Sequence, residues 1–454
     1  MADFAIILRN GMVVGHDTTR PLDIAIAEGK IVALQESLPG TAIEEIDATD
    51  LHIFPGVIDA HVHFNEPGRA NWEGLETGSQ AFAAGGGTLF FDMPLNAHPP
   101  TIDAESFDLK LAAAQKSSLT DFSLWGGLVP ENLDQLEELA DRGVVGFKAF
   151  MSNSGIDDFH HADDKTLKAG MRQAAKWNLP VAVHAESETL TSKLAKQKIS
   201  EGKTSVRDYL DSRPIEAEVE AIRRAIDLAG ETGCALHVVH VSSAEGVAII
   251  AEAKGRNVNV SCETCPHYLT LTESDMERIG ALAKCAPPLR STEEQEKLWQ
   301  RLLAGDIDTI GSDHSPSPPE MKTDVNFFKV WGGISGVQHA LPLLLSNAER
   351  GAGSAEKYKS LVARLLSSNV ARRFNLPKTK GAIAVSGDAD LALVNLDEEF
   401  EVRTNDLFYR HKQTPYAGRK LRGKVVRTLL RGQTIFHQGK IVAKPAGRLV
   451  KPLR

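Results

Sequence analysis

Short apolar runs alternate with helical patterns through the middle of the chain, from residue 55 to about residue 385. Segments such as TLKAGMRQAAKWN and EAEVEAIRRAIDLAGETG have the 3.6-residue period of helices. Continuous apolar strands separated by helices indicate a parallel sheet and therefore an α/β fold. Eight runs have the character of such strands: GVIDAHVHF, GTLFFDMP, DFSLWGGL, VVGFKAF, LPVAVHAE, ALHVVHVS, NVNVSCET and DTIGSDH.

Eight strand–helix units within about 330 residues predict a (β/α)8 barrel of the TIM type, with its active site at the carboxyl ends of the strands. The alternative is a doubly wound open sheet. It is disfavoured because no G-x-G-x-x-G turn follows the first strand.

The two ends of the chain differ from the middle, because both consist of short strand-like runs broken by turn signals. Examples are FAIILRNGMVV and DIAIAEGKIVAL near the start, and DLALVNL and VVRTLLRGQTIF near the end. We expect residues 1–54 and 386–454 to form one small β-sandwich domain, with the barrel of residues 55–385 inserted between them.

Charge and cysteine content exclude several classes of protein. The formal net charge is −9 and the two signs are interspersed, so the chain lacks the basic patch of a nucleic-acid-binding surface. The N-terminal MADFAIILRNG lacks the basic region of a signal peptide, and no apolar run approaches the ~20 residues of a membrane helix. Four cysteines are too few for a disulfide framework. We therefore expect a cytoplasmic protein that binds neither nucleic acid nor membranes.

Several of the predicted strands end in a side chain that can bind a metal ion. Because a strand has a period of two, both histidines of HVH project from one face of the first strand. The carboxyl ends of barrel strands converge on one rim, so these side chains are expected to meet there. The candidates are His61, His63, Lys148, His184, His240 and Asp313.

The lysine in this set requires a separate explanation, because an ammonium group has no lone pair for a metal. Apolar neighbours such as Phe147 and Phe150 would lower the pKa of Lys148 and favour the neutral amine. A neutral amine can add carbon dioxide and become an anionic carbamate ligand. Strand position alone allows equally for a lysine that extends to the rim and pairs with an acid.

The other histidines are weaker candidates. His237 lies three residues before His240 and is expected to pack on the opposite side of its strand. His267 and His314 are expected to line the site or to brace it.

Together these motifs resemble the amidohydrolase superfamily and, within it, the cyclic amidohydrolases: dihydroorotases, dihydropyrimidinases (hydantoinases) and allantoinases. The forms HVHFNEPGR, DMPLN, FKAFMSNSG and SDHSP are most similar to those of allantoinases. One departure is Leu89, where many relatives have a second threonine, and we expect a change of packing there. The resemblance covers the whole predicted barrel through PGVIDAHVHFNEPGR, AAGGGTLFFDMPLN, GFKAFMSNSG, VAVHAE, HVVHVS, ETCPHYL, KCAPPLR and GSDHSP.

The resemblance implies two divalent metal ions per chain, with zinc expected and manganese or cobalt as alternatives. Lys148 would be N6-carboxylated by CO2 or bicarbonate and would bridge the two ions. His184 and His240 would complete the second site, and Asp313 would act as general base and then as general acid for a water shared by the ions. The more buried ion would be held by His61, His63, Lys148 and Asp313.

The reaction implied is hydrolysis of a cyclic ureide, allantoin to allantoate, in purine catabolism. Dihydroorotases that resemble this chain bind a substrate carboxylate with an arginine two residues after the second histidine, where this chain has Asn65. Dihydropyrimidinases place a tyrosine after the lysine, where this chain has SNSG (152–155). Small polar residues suit a ring with a polar ureido tail. Asn96 and Ser315 are further candidates for substrate binding.

Two alternatives stay open. In the first, the substrate is another ring amide, namely a hydantoin, a dihydropyrimidine or dihydroorotate. In the second, the chain is a relative of these enzymes that acts as a scaffold and has no catalytic activity. Retention of all six ligand candidates argues against the scaffold. The family also implies a homo-oligomer, either a dimer or a tetramer.

Overall fold

Parallel strands separated by helices form the middle of the chain in a computed structural model, which describes residues 2–350 and 354–453. The strands are β1 (Phe4–Val14), β2 (Thr19–Ala27), β3 (Lys30–Gln35), β4 (Ala42–Asp47), β5 (His52–Pro55), β6 (Val57–Val62), β7 (Gly87–Asp92), β8 (Asp121–Leu124), β9 (Gly126–Gly127), β10 (Phe147–Phe150), β11 (Val181–His184), β12 (Leu236–Val238), β13 (Val260–Thr264), β14 (Thr309–Ile310), β15 (Leu391–Glu401), β16 (Lys420–Leu430), β17 (Gln433–His437) and β18 (Lys440–Ile441).

Helices follow most of the strands of this middle region. The α-helices are α1 (Leu75–Ala84), α2 (Ala104–Ser117), α3 (Leu136–Arg142), α4 (Asp164–Lys176), α5 (Glu188–Ser200), α6 (Val206–Asp211), α7 (Ile215–Thr232), α8 (Ala244–Gly255), α9 (Pro266–Thr270), α10 (Glu273–Ile279), α11 (Thr292–Ala304), α12 (Ala340–Leu345), α13 (Ala355–Ala363) and α14 (Asn369–Arg373). Short 3-10 turns cover Gly280–Ala283, Pro319–Lys322, Val337–His339, Ala348–Arg350 and Thr404–Asp406, and a π-helical turn covers Arg364–Ser368. None of the helices in the described residues has the length and apolar character needed to cross a membrane.

The strands of the middle region pair in parallel and in sequence order. One sheet contains β6, β7 and β8, and a second runs from β9 through β10, β11, β12 and β13 to β14. A parallel bridge between Val62 and His314 places the segment after β14 beside β6. The α/β class with parallel strands is therefore confirmed.

All eight predicted strands are shorter in the structure than their sequence runs, and two of them show a local reason. The run DFSLWGGL is divided at Trp125, whose buried indole Nε1 donates to the carbonyl of Ala60 at 3.0 Å. The last strand ends at Ile310, because the backbone then turns to a left-handed conformation at Asp313, with φ 45°. Apolar sequence continues past the end of regular pairing at Trp125, whereas polar residues follow Ile310.

The helices follow from local sequence in the usual way. Helix α4 begins after Asp163, whose side chain accepts from the backbone N–H of Thr166, and its buried face presents Leu167 and Met171. Helix α7 ends at Gly233, which takes a left-handed conformation with φ 69°. These two helices pack against each other outside the parallel strands.

Strands from both ends of the chain share one nine-stranded sheet, in the order β18-β17-β16-β15-β5-β1-β2-β3, with β4 beside β1. The two ends meet where β5 pairs antiparallel with β15, with Ile53 opposite Leu393. Apolar side chains from both ends, including Leu8, Ile53 and Leu393, pack in one buried cluster.

A group of buried charges, here called the junction cluster, joins this terminal sheet to the amino end of β8. The ammonium of Lys380 lies 2.7 Å from Asp121, 2.9 Å from Asp388 and 2.7 Å from Asp390. Arg431 also pairs with Asp121. The positive charge of Lys380 is thus surrounded by carboxylates.

Candidate metal centre

Three of the predicted ligands form a tight cluster at the carboxyl ends of β6 and β14. The Nε2 atoms of His61 and His63 lie 3.2 Å and 3.4 Å from Oδ1 of Asp313. One ligand atom from each of the three residues lies within 4.8 Å of the other two. Their chemistry and spacing fit a divalent metal ion.

Two more predicted ligands lie next to this cluster. Nδ1 of His184 is 3.1 Å from Nε2 of His240, and the rings of His61 and His240 have centroids 5.4 Å apart. Burial lowers the pKa of His63, His184 and His240, which favours neutral imidazoles that retain a lone pair for a metal.

Two glutamates that the sequence analysis did not select hold the histidines from behind. Glu263, near the end of β13, contacts Nδ1 of His61 at 2.8 Å, and Glu186 contacts Nε2 of His184 at 2.8 Å. Burial alone would raise the pKa of Glu263, but the imidazoles of His61 and His237 lower it to about 2. An ionised carboxylate behind an imidazole holds the proton there, so Nε2 of His61 and Nδ1 of His184 turn their lone pairs toward the centre.

Lys148 lies at the base of the same group, on β10. Its side chain is fully buried, and Nζ has no hydrogen-bond partner among the described residues. The centroid of the Phe150 ring lies 4.6 Å from Nζ. Burial lowers the pKa of Lys148 to about 7, so a large fraction of the amine is neutral at physiological pH. An unpaired neutral amine has the reactivity that carbamate formation requires.

Backbone conformation directs two of the ligands. The backbones of His240 and Asp313 have φ 41° and φ 45°, in the left-handed region. Residues other than glycine, asparagine and aspartate seldom adopt this conformation, so His240 is the more unusual of the two. Gly311 permits the close approach, since a Cβ there would lie 2.5 Å from Oε2 of Glu263. Burial alone would raise the pKa of Asp313. The imidazole of His61 and the hydrogen bond to His63 outweigh that effect, so the pKa lies below its usual value and the carboxylate is ionised.

A cavity of about 300 Å³ opens above the cluster. Asn96 lies in its wall, and Nδ2 of Asn96 is 3.3 Å from Nδ1 of His63 and 3.5 Å from Oγ of Ser315. Small polar residues of the segment after β10 form another part of the wall. The lining includes His61, His63, Asn96, Asn153, Ser154, Gly155, His184, His240, Asp313 and Ser315.

Not every candidate from the sequence lies in this cavity. Asn65 is buried outside its lining and donates to the carbonyl of Pro316 at 3.4 Å, so its contact with substrate stays a prediction. His237 packs within the strands, with Nδ1 2.8 Å from Oγ of Ser261. His314 accepts at Nδ1 from the backbone N–H of Gly336, and it braces the site.

Sequence reasoning missed a part of the cavity wall that carries two basic side chains. Lys284 lines the cavity, and its Nζ donates to the carbonyls of Phe327 at 2.6 Å and Val330 at 2.5 Å. Burial lowers the pKa of Lys284 to about 7. Arg213 also lines the cavity and pairs with Glu186. Lys284 belongs to the motif KCAPPLR, but the motif does not indicate that this side chain hydrogen-bonds the loop containing Phe327 and Val330.

Residues 52–435 match the sequence profile of the Amidohydrolase family. The chain belongs to the amidohydrolase family. This amidohydrolase is 55% identical over 454 residues to an allantoinase of Rubrobacter xylanophilus, with 100% of this chain and 99% of that protein covered. It is 52% identical over 448 residues to an allantoinase of Solibacter usitatus, with 98% and 96% covered. Among solved structures, an L-hydantoinase (dihydropyrimidinase) from Arthrobacter aurescens superposes with a TM-score of 0.95 at 34% identity, covering 99% of this chain and 100% of that one.

As an amidohydrolase the chain is an enzyme that hydrolyses its substrate, and the alternative of a scaffold without catalysis is excluded. The ligand set agrees with that assignment, because a compact His–His–Asp cluster lies beside an unpaired buried lysine.

Proposed function

We propose that this amidohydrolase opens the hydantoin ring of allantoin to give allantoate. The observation that carries the proposal is the cluster of His61, His63 and Asp313 on the floor of a cavity with small polar walls, near the unpaired and fully buried amine of Lys148. The two relatives named above as allantoinases, more than half identical to this chain over nearly its full length, support the choice of ring.

We also propose a finer architecture for the fold. The parallel order of β6 to β14, together with the bridge between Val62 and His314, supports a closed (β/α)8 barrel over residues 55–385. The shared terminal sheet supports a separate small β-sandwich domain from residues 1–54 and 386–454.

We propose that the site holds two divalent ions, with zinc favoured by its imidazole and carboxylate donors and manganese or cobalt also compatible. His61, His63 and Asp313 would hold one ion, and His184 with His240 would hold the other. Lys148, as its N6-carboxylated form made from CO2 or bicarbonate, would serve both. Its burial, its low pKa and its lack of a partner support this assignment.

When bound, the ions would activate a water molecule and polarise the carbonyl of the scissile amide. Asp313 is ionised and lies in the cavity wall, so it can accept the proton of the attacking water. The same carboxyl group can then deliver that proton to the departing ring nitrogen. Asn96 and Ser315 present amide and hydroxyl groups from the wall, which can hydrogen-bond the carbonyl and N–H groups of the ring.

The wall after β10 supports selection of the ureido tail. Asn153, Ser154 and Gly155 line the cavity with small polar groups, and a ureido group offers both donors and acceptors to them. We retain Asn65 as a proposed determinant of substrate choice. Its amide is anchored on the carbonyl of the proline that follows Ser315, and a neutral side chain at this position provides no ion pair for a dihydroorotate carboxylate.

A hydantoinase or dihydropyrimidinase activity is the second candidate, because the Arthrobacter L-hydantoinase has nearly the same fold. We further propose a homo-oligomer, dimer or tetramer, in the cytoplasm, where the four buried free cysteines would stay reduced.

The deciding experiment is a substrate panel for the metal-loaded enzyme, containing allantoin, hydantoin, dihydrouracil and dihydroorotate. We expect kcat/KM for allantoin to exceed that for dihydrouracil and dihydroorotate by about 100-fold or more, roughly 2.7 kcal/mol of differential transition-state binding. Similar rates on all of these rings would leave only a general cyclic amidase, and a preference for dihydroorotate would overturn the role given to Asn65.

A further inference from the structure

Arg69 lies between three loops that follow three different strands of the parallel region. It belongs to the loop after β6, and its guanidinium donates to the carbonyls of Asn96 and Ala97, both at 3.2 Å, in the loop after β7. The same guanidinium lies 2.9 Å from Oδ2 of Asp158, in the loop after β10. One side chain therefore connects three separate parts of the rim.

Asp158 is shared between two of these loops. Its Oδ2 accepts from Arg69 and also contacts Nδ1 of His98 at 2.8 Å. The other oxygen, Oδ1, is buried and has no hydrogen-bond partner among the described residues. The carboxylate is thus held by the loops after β6 and β7 while it belongs to the loop after β10.

A fourth loop joins this arrangement through two tryptophans. The guanidinium of Arg69 lies 5.5 Å from the ring centre of Trp72, and Trp72 meets Trp331 edge-on with centroids 4.8 Å apart. Trp331 follows β14 and lines the cavity. The first two loops also pack closely at Gly68, where a Cβ would lie 2.0 Å from the carbonyl oxygen of His98.

The loops held in this way carry groups that line the cavity. Arg69 binds the backbone carbonyl of Asn96, whose side-chain amide reaches His63 and Ser315. Asp158 belongs to the loop that carries Asn153, Ser154 and Gly155. Arg69 itself does not line the cavity. Its influence on the substrate must therefore pass through the loops that it holds.

We propose that Arg69 is a positioning residue that, through Asp158 and the carbonyl of Asn96, sets the distance between the Asn96 wall and the 153–155 wall of the substrate cavity. A guanidinium can serve two carbonyls, a carboxylate and an aromatic face at once because its donors are fixed in one plane. A lysine in its place would offer one compact ammonium group, which cannot bond to all of these partners at once. The inference rests on the proposed function, since it concerns how that substrate is held.

The test compares Arg69→Met, Arg69→Lys and Asp158→Asn with the wild-type metal-loaded enzyme. Because Arg69 does not touch the reacting atoms, we expect its loss to weaken binding more than chemistry. Arg69→Met should raise KM for allantoin about tenfold or more and lower kcat by no more than about threefold, with unchanged metal content. Asp158→Asn should raise KM less, and Arg69→Lys should restore part of the loss.

The matched control is Arg142→Met, which removes another arginine–aspartate pair, with Asp108 on the outer helices, at 3.0 Å and 3.1 Å. We expect it to leave KM unchanged. If Arg69→Met melts at a lower temperature yet keeps the wild-type KM, Arg69 is only a structural residue and the inference is wrong. If Arg69→Met does not fold, Asp158→Asn decides, and a wild-type KM in that variant overturns the inference as well.

The wild-type enzyme separates this result from the proposed function. Failure of the wild type to hydrolyse allantoin, with turnover of another ring amide, would refute the proposed function alone. The same variants would then be measured with that ring amide, and a raised KM would still support the role of Arg69.

Discussion

Two buried lysines, at opposite ends of the parallel strands, differ in almost every contact. Lys148 lies below the candidate metal centre and has no hydrogen-bond partner for Nζ among the described residues, and burial lowers its pKa to about 7. Lys380 lies in the junction cluster between three carboxylates. Burial acts against its charged form too, but those carboxylates prevail and raise its pKa.

The difference separates a functional from a structural use of buried charge. A buried amine without a hydrogen-bond partner lowers the stability of a folded protein. Its presence here therefore indicates a functional role, in which another chemical group reacts with or binds to the amine. The charge of Lys380 is already balanced by the carboxylates around it and needs no further group. These ion pairs join the terminal sheet to the parallel strands. The same substitution at the two sites should therefore have opposite consequences for activity and for stability.

The largest effect is expected at Lys148. Lys148→Met removes the proposed carbamate while it keeps the apolar stem, so activity should fall by about 1,000-fold or more and bound metal should decrease. The metal-free variant should be as stable as the wild type or more stable, because an unpaired buried amine is lost. Metal analysis, steady-state rates and urea unfolding measure these three quantities.

Lys148→Ala provides the companion variant, because short carboxylic acids can enter the space that it leaves and partly restore activity. A Lys148→Met enzyme with full activity and normal metal content would remove the distinction between the two lysines.

The next effect concerns stability rather than catalysis. Lys380→Met leaves Asp121, Asp388 and Asp390 facing one another in a buried site, and the free energy of unfolding should fall by about 3–5 kcal/mol. Chemical denaturation measures the loss. The folded molecules of this variant should keep a kcat/KM within about twofold of the wild-type value. The junction cluster lies at the opposite end of the strands from the predicted metal ligands. A stable variant with poor catalysis would contradict the structural role.

The smallest effect, taken per pH unit, is a difference in pH dependence, measured on metal-free protein in buffer without CO2. The pKa of Lys148 is about 7 when folded and 10.5 in the reference state, so the unfolded chain binds more protons between these values. The wild type should therefore gain stability relative to Lys148→Met as the pH rises from 7 to 10.5, by at most about 1.4 kcal/mol per pH unit.

The sign is reversed for Lys380, whose pKa is raised above the reference value of 10.5. Its contribution to stability is complete below pH 10.5 and is lost as the pH rises further, toward the raised value. Unfolding curves of the wild type and both methionine variants across this range test the pair together. Parallel profiles would show that the two lysines titrate alike.

The clustering of the predicted ligands could be expected from the sequence, because it depends on regular structure. His61 and His63 follow from the period of a strand, and His184, His240 and Asp313 follow from the convergence of parallel strand ends. The α/β class followed from the same alternation. Strand ends were less accurate, because pairing stops at Ile310 although the predicted run DTIGSDH extends to His314.

The groups around the ligands were not predictable in this way. Glu263 also stands near the end of a strand, but its pairing with His61 depends on the approach of β13 to the turn at Gly311. Arg69 belongs to a turn motif, and its partners are far from it in sequence. Lys284 acts on carbonyls of a loop without secondary structure. Loop conformation has no periodicity from which contacts of this kind could be deduced.

The antiparallel pairing of β5 with β15 sets an order of events on the ribosome. Strands β1 to β5 leave the exit tunnel first, whereas β15 is synthesised only after all the parallel strands. Until then one side of β5 presents unpaired backbone donors and acceptors, to which a second nascent chain can add. We therefore expect β5 to be open to misassembly through this edge until β15 has been synthesised, and chaperones that shield nascent chains would act during that interval.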